Sequence, residues 1–447
     1  MSGCGPTGVV LLSESGEPLQ KSAFNQQVSV EPFTLFDHPG GKYGLDPRFW
    51  GDYSVNGGSI TEATGKSGFQ LDVGTTSGDI ARACTDSFLN YQAGNGGFFG
   101  VTGHLLSATT PDANREIIMG QFDPFDDIGI GFGFQGTDFG VFRSTDDASV
   151  LSAIAALTDA EIQAVYPNSG WLAEHYQRFV PQTSFNVDKL DGTGPSGVSL
   201  SPMDMGSAIM EAQYQWYGVG GIEWYINKVL VHKIQHAGVL AGPYMTTAVL
   251  PMSISMNNTG TCSNAGSMLF ICGSIKSQGG FQPQTIGLSA PQTLTSQSVS
   301  GGPVPLVAIR PKLTLNSVTN RIRALGTAAE ASSDTNGDYA LQVFQGGTLS
   351  GGANVWTSAA ADSGFEYNTD HTTLTGGELI AQTIFSVTNQ SGTQSRRVDL
   401  TKEFAPLGRQ LRLSADGLTQ EILTVTLTKL GGGSTTSYGT LSWSEIR

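Results

Sequence analysis

Charge is scarce in this chain. Only 14% of its 447 residues are Asp, Glu, Lys or Arg, against the usual quarter or so of a soluble domain. Its surface must therefore be built largely from Ser, Thr, Asn, Gln and Gly. Basic residues are the scarcer kind: 23 Lys and Arg stand against 38 Asp and Glu, a formal net charge of −15. No basic run exceeds Arg396-Arg397, which argues against binding a nucleic-acid backbone, since that needs a basic face. No stretch approaches the ~20 apolar residues of a membrane span. The first apolar run, Gly8 to Leu12, is too short for a signal-peptide core and has no basic residue before it. A soluble product made in a cytoplasm is expected. Cysteines number four, at Cys4, Cys84, Cys262 and Cys272, with no Cys-x2-Cys pair to suggest zinc. A cytoplasmic origin favours free thiols, although Cys262 and Cys272 could face each other across a hairpin turned at Asn264-Ala265-Gly266.

What the chain does have is 59 glycines, with no collagen period, and 39% hydrophobic residues. That is enough apolar material for ordinary cores, cut into short pieces by frequent turns. The combination reads as an all-β protein. Phe69–Val73, Ile130–Phe134 and Phe139–Phe142 alternate with period two, and with Ile117–Asp123 they read as consecutive antiparallel strands. One helix is expected from Ser149 to Val165, with Thr158-Asp-Ala-Glu161 as a capping box and Pro167 as its stop. Composition shifts to Gly, Gln, Ser, Thr and Pro near 279–304. Beyond it, Tyr339–Phe344, Leu379–Phe385, Gln410–Leu413 and Glu421–Leu427 give further strands, and the chain closes on an apparent strand ending at Trp443-Ser-Glu-Ile-Arg447.

The expected architecture is thus all-β: an N-terminal arm (1–32), a large jelly-roll-like β-sandwich (33–285), a linker (286–303) and a C-terminal β-sandwich (304–447). The arm carries the apolar run Val9, Val10, Leu11 and Leu12. It reads either as a partly ordered tail or as a strand lent to a neighbouring subunit.

Two dense landmarks lie between Phe185 and Gly242. The first is Phe185-Asn186-Val187-Asp188-Lys189-Leu190-Asp191-Gly192-Thr193-Gly194-Pro195-Ser196-Gly197. The second runs from Gln215-Trp216-Tyr217-Gly218-Val219-Gly220-Gly221 through Trp224-Tyr225 to Val231-His232-Lys233-Ile234-Gln235-His236. Both read as strand, turn and strand. They resemble a recurrent module of tailed-phage and large DNA virus structural proteins. There a Phe-Asn-x-Asp-x-Leu-Asp-Gly-x-Gly-Pro-Ser-Gly stretch precedes Gln-Trp-x-Gly-Val-Gly and a His-bearing strand. The Gly-Gln-Phe-Asp motif at Gly120–Asp123, the Arg310-Pro311-Lys312 opening and the Ser-Trp-x-Glu-Ile ending extend the resemblance over most of residues 40–447. It implies a virion structural protein of a tail, fibre, appendage or head-decoration type, assembled in the host cytoplasm. Its partners would be copies of itself, a trimer by analogy with fibres, and other virion proteins. Another reading is an adhesin for a host receptor or glycan, and more remotely a polysaccharide depolymerase.

Catalytic chemistry finds little support. His232 and His236 have helical zinc spacing, but Val229–Ile234 alternates like a strand and no His-Glu-x-x-His occurs. A pair of hydrogen-bonded histidines on one sheet face is the simpler reading. Asp123, Asp126 and Asp127, like Asp188 and Asp191, match ordinary turn chemistry better than a calcium loop or a glycosidase pair, for which Glu211 and Glu223 are further candidates. Ser196 lacks the Gly-x-Ser-x-Gly elbow, and no nucleotide loop is present. No enzyme activity, cofactor or metal is expected. For glycan contact, Trp171 and Trp356, beside Gly and Asn turns, are the candidates for exposed stacking platforms.

Overall fold

The computed structural model describes residues 33–38, 45–63, 65–66, 68–105, 111–201, 208–278, 284–291, 293–388, 394–404 and 410–447. The proposed arm, with Val9, Val10, Leu11 and Leu12, lies outside them. The chain divides into two compact units, 1–281 and 282–447. Both are antiparallel β-sandwiches, so the protein is all-β as its turn-rich composition implies.

In unit 1, sheet A orders its strands Val229–Gln235, Gly221–Ile226, Ile209–Tyr214, Gly96–Leu105, Gly266–Gln278, Phe69–Val73 and Ser59–Glu62, and Phe33–His38 also pairs with Gly266–Gln278. Sheet B runs Phe179–Pro181, Asp138–Ser144, Ile128–Gln135, Arg115–Asp123, Met252–Asn258, Ile80–Thr85 and Trp50–Asp52. Inward aromatics join the sheets: Phe99 of sheet A meets Phe132 of sheet B edge-on at 6.2 Å. At the far end Trp50 meets Phe69 and Phe270, each at 5.3 Å. Such offset geometries suit ring quadrupoles.

The expected single helix is two. Helix α1 spans Ala148–Ala156, capped by Asp147 through the amides of Ser149 and Val150. Helix α2 spans Asp159–Val165. Thr158 sits between them in extended backbone and forms a true capping box with Glu161. A capping box starts a helix, so the motif marks a new beginning and not the interior of one long helix. Among the described residues no single helix is long and apolar enough to cross a membrane.

In unit 2, sheet C orders Thr285–Ala290, Thr435–Ile446, Arg323–Ser333 and Gln394–Asp399, with Gln297–Val299 also on Thr435–Ile446. Sheet D orders Thr357–Ser358, Phe365–Asn368, Val304–Pro311, Leu423–Lys429, Gly337–Gln345 and Glu378–Val387. One core fills the space between them, with Trp443, Leu441 and Ala329 from sheet C against Val307, Leu341 and Val425 from sheet D. The stretch 286–303 is not a linker. Thr285–Ala290 and Gln297–Val299 are both hydrogen-bonded to the C-terminal strand. Gln410–Leu413 forms no strand either, only isolated bridges at Leu411 and Leu413.

Candidate functional site

Sheet B has an unusual outer face. Phe132 points inward to Phe99, so by the two-residue period of a strand Ile128, Ile130 and Phe134 do too. Up to the exposed Gln135 at its end, Gly129, Gly131 and Gly133 are left to face away from sheet A. Larger neighbours occupy the space that side chains there would take. A Cβ on Gly131 would come within 2.8 Å of the Met119 carbonyl and 3.1 Å of the Ile118 side chain, and one on Gly129 within 2.5 Å of the Gln121 carbonyl and 3.1 Å of the Phe122 ring. Gly129 also holds φ +143°, open only to glycine. Over this floor Ile118, Phe122 and Phe142 form a small buried cluster, with Phe179 packed against it.

Arg178 closes one side of the cluster. Its guanidinium lies 5.4 Å from the Phe142 ring and joins two carboxylates. It donates to Glu116 at 2.7 and 3.3 Å and to Asp127 at 2.9 and 3.2 Å. Burial of Arg178 opposes its charge, but its hydrogen bonds to Asp127 and Glu116 outweigh it and raise the pKa above the ordinary value. Asp127 gets there by a turn: Asp123 Oδ1 accepts from the Phe125 amide at 3.0 Å, and Asp127 takes φ +54°. The turn reading of Asp123–Asp127 therefore describes the backbone, with Asp127 recruited beyond it.

Register supplies the other side. Ser255 pairs with Arg82 on one neighbour and Ile118 on the other, and Asn257 pairs with Glu116. Four polar side chains thus fall in two adjacent rows of one face. They line a cavity of about 220 Å³ that also touches Phe122 and Pro124. Arg82 has no carboxylate at ion-pair distance among the described residues. Its Nε donates only to Ser255 Oγ, at 3.5 Å, and its guanidinium lies 5.1 Å from the Phe125 ring. Burial lowers its pKa, opposed by the nearby Cys84 and Asp123. Phe125 is 37% exposed and meets Tyr53 edge-on at 5.1 Å.

The two landmarks lie elsewhere in unit 1 and serve its architecture. The first is not strand, turn and strand. Val187 and Asp188 donate their amides to the Val231 carbonyl, each at 3.1 Å. Asn186 accepts from the Lys233 amide at 3.0 Å and donates to its carbonyl at 2.8 Å. The Phe185–Asp188 segment thus covers the free edge of the Val229–Gln235 strand. Asp188 in turn holds the loop, accepting from the amides of Leu190 and Ser196 at 2.8 Å each. Gly194 packs so near its carboxylate that a Cβ would clash with it. Ser196 plays this backbone part and has no nucleophile's setting. The second landmark is a turn at 215–220 followed by a hairpin, Gly221–Ile226 against Val229–Gln235.

His232 and His236 are both fully buried on one face of their strand. His232 Nδ1 accepts from the Asn186 amide at 3.4 Å, which leaves Nε2–H to donate to the His175 carbonyl at 3.3 Å. Burial, then the neighbouring His175, lowers its pKa to about 3. His236 Nδ1 pairs with the Gly220 carbonyl at 2.8 Å and the ring stacks on Tyr244 at 3.9 Å. Burial and then Arg143 push its pKa well below the ordinary value. Both rings are hydrogen-bonded core histidines. Glu211 pairs with Lys228 at 2.5 Å, and Glu223 accepts from Gln213 and Tyr225 at 2.6 Å each. Cys84, Cys262 and Cys272 are free thiols. Cys272 sits within a strand beside Thr102 and not across a turn from Cys262.

Neither tryptophan forms an open platform. Trp171 is only 7% exposed, packed edge-on against Tyr166 at 4.9 Å. A neighbouring glycine turn does not by itself uncover a ring that can pack on an aromatic five residues earlier. Trp356 is half-buried, with Arg310 3.9 Å over its ring and Nε1 donating to Asn354 at 2.8 Å.

Unit 2 offers a different feature. Its longest sheet edge, Glu378–Val387, pairs only with Gly337–Gln345; among the described residues no strand lies on its other side. Leu379 and Ile384 are 46% and 58% exposed. Even the residues turned toward the core, Ala381, Thr383 and Phe385, are only half-buried.

No protein-family model and no curated protein matches the chain. Among solved structures, the similarities are weak and cover little more than half of the chain. The carbohydrate recognition domain of Emp47p aligns with TM-score 0.32 and 8% identity, over 55% of this chain and 94% of that one. An endo-β-1,4-glucuronan lyase from the fungus Trichoderma reesei gives 0.32 and 12%, over 54% and 94%. The Crh5 transglycosylase in complex with NAG gives 0.33 and 11%, over 56% and 85%. At such low scores none of them bears on what this chain does. What fold and site define is an all-β protein of two sandwiches, with a mixed-charge groove on one and an open edge on the other.

Proposed function

We propose that this chain is a virion structural subunit that acts by assembly, with no catalysis of its own. The observation that carries the reading is the open Glu378–Val387 edge. A long, exposed, apolar edge strand pairs with other chains unless charge, proline or a covering segment prevents it. This strand holds one charged residue, Glu378, no lysine and no proline, and it exposes Leu379 and Ile384. The occupant is a second copy of the same strand. In an antiparallel, two-fold pairing Glu378 lies at one end and meets the uncharged other end of its mate, so no like charges oppose each other. Such a pair is the first step, of lower order than the trimer that analogy with fibres implies. The motif resemblance supports a tailed-phage particle as the setting, with the chain in a tail, fibre, appendage or head-decoration layer, put together in the host cytoplasm.

Arg178 bears on the non-catalytic part. A glycosidase needs two carboxylates facing each other across space for a sugar and a water. Glu116 and Asp127 both face one guanidinium instead. Sedimentation of the full chain tests the assembly. The wild type is expected to self-associate, and Leu379→Lys with Ile384→Lys to give a folded monomer. A wild type that stays monomeric when concentrated, or a double variant as associated as the wild type, contradicts the proposal. Dissociation on deleting residues 1–32 but not with the lysines would make the arm the joint instead.

A further inference from the structure

We propose that the groove on the outer face of sheet B binds one ring of a neutral saccharide. The inference rests on unit 1 alone and stands apart from the assembly reading. Four ionic side chains line the groove: Arg82 and Arg178, Glu116 and Asp127. Their formal charges cancel, so the lining has no net attraction for an ion of either sign. What it presents is donors and acceptors side by side.

Arg82 keeps its terminal N–H groups free of carboxylate among the described residues, its Nε engaged only by the long contact to Ser255. Asn257 lies half-buried in the next row, an amide with both donor and acceptor capacity. Glu116 and Asp127 both accept from the Arg178 guanidinium and keep further lone pairs. A hydroxyl group is both donor and acceptor, so vicinal hydroxyls satisfy such a lining where a carboxylate ligand would be repelled by Glu116 and Asp127. Ile118, Phe122 and Pro124 supply the apolar part of the lining, against which the C–H face of a ring can pack. The cavity of about 220 Å³ is below the ~300–1,000 Å³ of clefts that enclose larger ligands, which sets the occupant at one ring of a chain or a chain end.

Saturation-transfer NMR on the full chain tests this, with glucose, galactose, N-acetylglucosamine and glucuronate as probes. At least one neutral sugar is expected to bind saturably with a Kd of about 1 mM or weaker. Arg82→Gln is expected to weaken it about tenfold, through loss of charge-assisted hydrogen bonds. Asn257→Ala should weaken it severalfold, and this second variant carries the test if the first does not fold. Trp356→Ala, in the other unit, should bind as the wild type does. The proposal is overturned if no neutral sugar saturates or if glucuronate binds more tightly than the neutral sugars. Wild-type affinity in the folded groove variants, or loss of binding in Trp356→Ala, overturns it as well.

Discussion

The two units manage their sheet edges in opposite ways. Sheet B of unit 1 ends on strands of only 3 residues at each side, Phe179–Pro181 and Trp50–Asp52, too short to template another chain. The 7-residue edge of sheet A, Val229–Gln235, is covered by Asn186–Asp188 bonding to its backbone. Sheet D of unit 2 ends on a 10-residue strand, Glu378–Val387, with no strand over it among the described residues. Interiors differ as well. Unit 1 buries three histidines, His175, His232 and His236, whereas unit 2 buries one, His371, and places Arg323, Arg412 and Glu445 inside instead. The comparison teaches a division of labour. Unit 1 combines short or covered edges with a histidine-rich interior and a groove, and unit 2 presents a long edge with no strand over it among the described residues.

Acid should separate the units most. His232, held neutral in the fold down to about pH 3, takes up a proton in the unfolded chain below its ordinary value near 6.5. Its contribution is therefore complete above that value and is lost as pH falls toward the folded pKa. By pH 5 this single group should cost roughly 2 kcal/mol. His236 and His175, also shifted downward chiefly by burial, add in the same direction. Unit 2 holds only one of the six histidines, His371. Urea titrations read by hydrogen exchange in each unit should show unit 1 losing more stability than unit 2 between pH 7 and pH 5. Equal losses would remove the distinction between the interiors.

A smaller effect sharpens the distinction between the edges. Asn186→Ala removes both side-chain bonds to Lys233 and uncovers part of the sheet A edge. The expected cost is about 1–2 kcal/mol, with new self-association of unit 1. A variant as stable and as monodisperse at that edge as its parent would mean that the covering segment is incidental.

Much of the fold is legible in the sequence, because alternation is a local signal. Phe69–Val73, Ile117–Asp123, Tyr339–Phe344 and Leu379–Phe385 all lie in strands. Two failures are local, the helix split at Thr158 and Trp171 covered by Tyr166; in the others the deciding partner is distant in sequence. Thr285–Ala290 looks like linker because its mate is the C-terminal strand. The Phe185–Asp188 edge cover looks like a hairpin because its mate is Val231. The groove is hidden for the same reason. Arg82, Glu116 and Arg178 carry no common motif, and only the register of Ile80–Thr85, Arg115–Asp123 and Met252–Asn258 brings the first two together. The run Ile128-Gly-Ile-Gly-Phe-Gly-Phe134 was the available clue, since a strand with glycine at every outward position asks what lies upon it.

Hydrogen exchange along Glu378–Val387, compared between dilute and concentrated solutions of the full chain, bears most directly on the open edge. Assembly through it predicts amides that exchange quickly when dilute and gain protection on concentration, with the gain centred on this strand and lost in the Leu379→Lys, Ile384→Lys variant. Exchange in this strand that is independent of concentration, with protection gained elsewhere, would contradict it.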